Sequence, residues 1–131
     1  VIVLDTHVWI WWISDDERLT PAARAEIETH QGDGLGISAI SCWEVAKLVQ
    51  LGRLELRHRT TDWLEAALAY PGCRLLELTP QIVVQSTTLP GVFHRDPADQ
   101  MIVATALVWG CPLLTADRKI LDYPHVETLS A

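Results

Sequence analysis

The sequence predicts an α/β fold of three layers, α/β/α, around a central and mostly parallel β-sheet. Three observations carry this expectation. Short apolar runs recur along the chain, the first being VIVL at residues 1 to 4. Segments of helical periodicity separate them. Proline and glycine stand at the joints between the two kinds of segment. Strands alternating with helices build a parallel sheet covered on both faces. The 131 residues suffice for one core and are too few for two ordinary domains, so residues 1–131 are expected to form a single domain.

VIVLD (1–5) reads as a buried strand ending in a carboxylate, because four consecutive apolar residues suit a strand covered on both sides. Thr6 to Ile13, with Trp9, Trp11 and Trp12, reads as a short helix. The tryptophans are dense enough to suggest that a partner buries some of them. Thr20-Pro21 has the form of an N-cap followed by proline at the first helical position, opening a helix to about His30. Glycines 32, 34 and 36 bracket a turn into a strand near Leu35 to Ser38. Helical periodicity runs from Ser41 to about Leu51, with Trp43, Ala46, Val49 and Gln50 on or near one face, and Gly52 stops it.

Residues 60–70 form an amphipathic helix through Trp63, Ala66, Ala67 and Tyr70, ended by Pro71-Gly72. Arg74 to Leu78 is a third strand, and Thr79-Pro80 marks another helix start. The stretch from Ser86 to Arg95 is irregular. Asp96-Pro97 then opens a long helix to about Gly110. Pro112 to Thr115 reads as a strand, Arg118 to Leu121 as a helical turn, and Val126 to Leu129 as a last strand. Helices come in pairs between the first strands and singly later.

Composition narrows the function classes. Apolar residues make up 49% and charged residues 21%, which fits a packed domain and excludes a disordered chain. No apolar run is long enough to cross a bilayer, and no basic-then-apolar leader is visible, so a cytoplasmic protein is expected. The three cysteines, Cys42, Cys73 and Cys111, are odd in number, widely spaced and set among apolar residues. They support neither a disulfide framework nor a zinc site. The net charge of −7 argues against a broad basic nucleic-acid surface. Setting aside Asp5, Glu44, Asp99 and Asp117 as a metal site leaves thirteen acids against ten basic residues, a net of −3.

The position of those four acids is the functional signal. Asp5 and Asp117 lie at or just beyond strand ends, where ligands bind in open α/β sheets. Glu44 and Asp99 sit near helix starts. Each also has a local explanation. Ser41 and Glu44 fit a capping box, Asp96 and Asp99 fit the same scheme around Pro97, and Asp5 and Asp117 can each cap a following helix. The two readings are compatible, since a carboxylate in a first helical turn is rigidly held and still presents an oxygen. Clustered carboxylates repel one another unless a cation joins them. Mg2+ and Mn2+ take oxygen ligands, so a divalent-metal site is the expected product of convergence. Thr6 and Thr115, beside the acids, are supporting candidates with Asp96. Arg95 and Arg118 are candidates for substrate contact. His7 and His94 fall near the acids, but no ligand spacing supports either.

Four blocks, VLDTHVWIWW (3–12), SAISCWEVAKLVQLGRLEL (38–56), HRDPADQMIVATALVWG (94–110) and LLTADRKI (113–120), together resemble the PIN-domain family, in particular its VapC-type toxins of toxin–antitoxin pairs. They stand in the family's order and span nearly the whole chain. The resemblance implies a PIN-like α/β/α fold and endoribonuclease activity supported by Mg2+ or Mn2+, leaving 5′-phosphate and 3′-hydroxyl ends. It implies that Asp5, Glu44, Asp99 and Asp117 are the catalytic and metal-holding acids, with Asp96 and Thr115 supporting them. It also implies an RNA substrate, a small antitoxin partner and a homodimer. One departure is visible: relatives often read DPFDR where this chain reads DPADQ, with Ala98 and Gln100.

Other readings stay open on the residues alone. A dehalogenase-like phosphatase needs a second aspartate two positions after the first, where this chain has His7. A receiver domain needs a paired acid near the first strand and a late lysine, and neither is well formed. A non-catalytic PIN-like module that binds RNA or protein retains every feature except turnover.

Overall fold

In the computed structural model, which describes residues 1–131, the chain threads twelve elements in the order β1 (Ile2–Leu4), α1 (Thr6–Ile13), α2 (Pro21–His30), β2 (Leu35–Ser38), α3 (Ala39–Gln50), α4 (Thr60–Leu68), β3 (Cys73–Leu76), α5 (Pro80–Thr87), α6 (Pro97–Trp109), β4 (Leu113–Thr115), α7 (Arg118–Leu121) and β5 (Thr128–Ser130). The five strands form one sheet in the order β3-β2-β1-β4-β5. Every pairing is parallel, so the expected mostly parallel sheet is parallel throughout. From β1 the chain moves outward to β2 and β3, then returns to β4 on the other side. This reversal leaves a crevice beyond the carboxyl ends of β1 and β4.

The pleat of β1 divides the core. Ile2 and Leu4 join Trp9, Ile27, Leu35, Ile37 and Trp63 under α1 to α4. Val3 points the other way and joins Ile102, Val103, Leu113 and Ile120 under α6 and α7. α5 packs on α6. Ile2, Val3, Leu4, Leu35, Ile37, Leu113 and Leu114 are wholly buried, which explains why the central strands β1, β2 and β4 read as short runs without polar alternation. No helix is long and apolar enough to cross a membrane.

The caps account for most helix starts. Thr20 and Thr79 accept hydrogen bonds from the amides of Ala23 and Ile82, each with proline next in the helix. Gly110 closes α6 in the left-handed region at φ 65°, which suits glycine.

Four expectations need correction. α3 begins at Ala39, not Ser41, and its N-cap is Ser38, whose Oγ accepts from the Ile40 amide. The Ser41–Glu44 capping box therefore does not form. Within α3, Ser41 and Val45 are buried, while Trp43, Ala46 and Gln50 are exposed, so the apparent apolar face looks outward. Trp9 and Trp12 are buried by this chain's own core, not by a partner. Trp9 meets Trp63 edge-on at 5.3 Å, and Trp12 meets Tyr70 at 5.2 Å. Helix pairs fill all three of the first crossovers, leaving α7 as the single helix before β5.

Candidate metal centre

The crevice between β1 and β4 opens into a cleft of about 340 Å³ lined by Asp5, Glu44, Asp96, Asp99 and Asp117, with His7, Trp11 and Ala116. Five carboxylates thus reach one cleft from four separate stretches of chain.

Asp5 follows β1 directly. Its amide donates to the Leu114 carbonyl at 3.0 Å, which ties the end of β1 to β4. Asp5 is 6% exposed, and its carboxylate accepts from the Thr6 amide at 2.8 Å and from Thr115 Oγ1 at 2.7 Å. Thr115 also accepts the Asp117 amide at 3.0 Å, so one hydroxyl braces both strand-end acids. Asp117 caps α7 by accepting from the Lys119 amide at 2.9 Å.

Glu44 enters from the second turn of α3. Thr6 Oγ1 donates to Glu44 Oε1 at 2.5 Å and lies 2.8 Å from Ser41 Oγ. Thr6 has one proton to give, so Ser41 donates to Thr6 and Thr6 to Glu44. The buried Ser41 thereby positions the site instead of capping a helix. Asp99 stands in the first turn of α6, and its Oδ2 lies 2.6 Å from His94 Nε2. Asp96 Oδ1 accepts from the amides of Ala98 and Asp99, as the sequence predicts for an N-cap, while its side chain also lines the cleft.

Burial sets the electrostatics, and the crowding of like charges adds to it. Burial pushes the Asp5 carboxyl above its ordinary range, and the Asp117 charge adds to this. Burial lifts Glu44 to about 7, reinforced by the charges of Asp5, Asp99 and Asp96, against the lowering effect of the Thr6 bond. Burial likewise lifts Asp99 to about 6, with Asp5 and Asp96 adding to the rise and His94 opposing it. Glu44 therefore titrates near neutrality unless a cation compensates the cluster.

The donor set fits a divalent cation. Glu44 Oε2, Asp99 Oδ1 and Asp117 Oδ2 make no hydrogen bond within the chain, while the other oxygen of each carboxylate is pinned. One ligand atom each from His94, Asp99 and Asp117 can be chosen so that all lie within 4.8 Å of one another. Asp5 and Glu44 line the same cleft outside that tightest group.

Arg95 and Arg118 are exposed and do not line the cleft. Arg118 Nη1 instead lies 3.5 Å from Asp122 Oδ1. Sequence reasoning gave too little weight to His94, which reaches Asp99 directly. Its signal was its place five residues before that acid. The role of Ser41 was misread, because capping was assigned one turn too late.

Comparison with known proteins agrees with this architecture. A family model described as "PIN domain" matches residues 2–126. The chain is 36% identical over 124 residues to "Ribonuclease VapC22" of Mycobacterium tuberculosis, covering 95% of this chain and 92% of that protein. Among solved structures, VapBC2 from Rickettsia felis, bound to a DNA fragment from its promoter, superposes with a TM-score of 0.72 at 14% identity. That match covers 98% of this chain and 97% of the other. DNA-bound VapBC from Salmonella typhimurium also gives 0.72, at 18% identity, over 98% of this chain and 96% of the other. At these identities the structural matches speak to fold.

Proposed function

This chain belongs to the PIN-domain family, and from that premise we propose that it is a divalent-metal-dependent endoribonuclease, the toxin of a toxin–antitoxin pair. The observation that carries the reading is the convergence of Asp5, Glu44, Asp99 and Asp117 on one cleft. The 36% identity to a ribonuclease over 95% of the chain supports the choice of RNA.

Asp5, Glu44, Asp99 and Asp117 hold Mg2+ or Mn2+, both of which favour oxygen ligands. When bound, such an ion supplies an activated water and offsets the charge that builds on the phosphoryl oxygens. The chain's own residues do the positioning. Thr115 keeps Asp5 and Asp117 at a fixed separation through its two hydrogen bonds. Ser41 and Thr6 direct Glu44. Asp96 orders the first turn of α6, which carries Asp99. Trp11 and His7, at the side of the acids, offer an aromatic face to an unpaired base of single-stranded RNA. Arg95 and Arg118, exposed outside the cleft, serve flanking phosphates.

The 1–131 chain acts as one nuclease domain in the cytoplasm, where the free thiols of Cys42, Cys73 and Cys111 stay reduced. Its partners are a small antitoxin and a second copy of itself. Exposed apolar side chains such as Trp43, Leu75, Val84 and Trp109 provide surface for them.

The test uses chain freed of antitoxin and shown to be folded, incubated with single-stranded RNA. Cleavage in Mg2+ or Mn2+, none in chelator and none with Asp5→Asn is the expected result. Intact RNA in both metals would refute the nuclease and leave a binding module.

A further inference from the structure

We infer that His94 is a positioning residue for Asp99, held in place by a support built from Phe93, Gln100 and Tyr123. This rests on the metal-site reading above and adds residues to it.

Five contacts converge on the loop before α6. His94 Nε2 lies 2.6 Å from Asp99 Oδ2. The Phe93 ring stacks on the His94 imidazole with centroids 4.2 Å apart and planes tilted by 36°. Phe93 in turn meets Tyr123 edge-on at 4.9 Å, and the Tyr123 hydroxyl donates to the Pro90 carbonyl. Gln100 Nε2 donates to the His94 carbonyl at 3.0 Å. The imidazole is therefore fixed by a ring on its face, a hydrogen bond to its own backbone and a short contact at its tip. His94 and Asp99 side chains are only 22% and 15% exposed, so water competes weakly for the contact.

The consequence is directional. A carboxylate whose Oδ2 accepts from an imidazole N–H is held in the orientation that this bond favours. Its Oδ1 has no partner in the chain and remains for the cation. Hydrogen bonds to a ligating carboxylate typically alter metal affinity by about 10- to 100-fold when removed. Gln100 acquires a purpose here. At the position where relatives often carry arginine, a neutral amide holds the His94 carbonyl and adds no cation beside the acids.

Mn2+ binding, followed by the loss of the free-ion electron paramagnetic resonance signal, tests this without relying on turnover. Folding of each variant is checked by a cooperative melt. His94→Ala is expected to weaken Mn2+ binding by about 10- to 100-fold, and His94→Gln, whose amide can still donate, to recover much of that loss. Gln100→Ala is expected to give a smaller loss in the same direction. Unchanged Mn2+ affinity in folded His94→Ala, while Asp99→Asn loses binding, would overturn the inference and leave the metal site intact. Equal losses in His94→Ala and His94→Gln, or nitrogen coupling from a directly bound imidazole in the wild-type Mn2+ spectrum, would overturn it in favour of ligation. Failure of the wild-type chain to bind Mn2+ would overturn the metal-site reading itself.

Discussion

Replacing Glu44 by glutamine should stabilise the metal-free protein at alkaline pH. Burial and the neighbouring acids raise the Glu44 carboxyl from 4.5 to about 7. A carboxyl raised in the folded state favours folding fully below its unfolded value, and that advantage is lost as pH rises through the folded one. The window therefore runs from about 4.5 to about 7, and Asp99, raised to about 6, acts in the same direction. A pKa difference of this size corresponds to about 3 kcal/mol. Glu44 is only part-buried, so solvent screening reduces the expected penalty of ionising it to roughly 1.5 kcal/mol. Glutamine keeps the shape and an acceptor for the Thr6 hydroxyl without the charge. At pH 8 in chelator, Glu44→Gln should melt about 5 °C above wild type, taking a few degrees per kcal/mol for a domain of this size. At pH 4, below that window, the difference should vanish or reverse, because Glu44 is then largely neutral in both the folded and the unfolded chain. Saturating Mn2+ should reverse the order at pH 8, since wild type gains more from a bound ion. Thermal melts at the two pH values, with chelator or Mn2+, provide the measurement. A metal-free Glu44→Gln that melts at or below wild type at pH 8 would refute the claim that a buried, crowded charge destabilises the metal-free fold.

Three further outcomes follow from individual contacts. Thr115→Val removes the bond to Asp5 Oδ2 and the acceptor for the Asp117 amide, so it should cost about 1–3 kcal/mol in denaturant unfolding and weaken Mn2+ binding. Trp11→Ala should raise KM for single-stranded RNA about 10-fold with little change in kcat, since base stacking contributes ~1–3 kcal/mol and the acids' side-chain hydrogen bonds are made by Thr6, Thr115 and His94 rather than by Trp11. Gly72→Ala should destabilise the fold by roughly 2 kcal/mol or more in the same unfolding assay. Gly72 has φ 90°, and an added Cβ would sit 2.4 Å from the Gln31 carbonyl oxygen.

The sequence by itself determined the helices and strands whose signals are local. Threonine followed by proline marks α2 and α5 because the capping bond spans only three residues. Asp96 marks α6 for the same reason. The apolar run of β1 followed from its burial on both faces, and the four ordered blocks carried the family resemblance. Local signals also misled where two alternatives lay within a turn of each other. Ser38 and Ser41 are both good caps, and only β2 ending at Ser38 selects the first. The second serine is then buried and joins Thr6, thirty-five residues away in sequence.

The standing of the acids changed in the same way. Asp5 and Asp117 were legible as strand-end residues, but their bracing through Thr115 requires β1 beside β4, a neighbour relation that no spacing encodes. His94 reaches Asp99 from the loop before α6, where Phe93 packs against Tyr123 from the far end of the chain. Residue types and local spacing determined which groups were available for the cleft. Strand order, register and loop packing decided which of them meet, because distances between segments far apart in the chain are set by the parallel sheet and its crossovers.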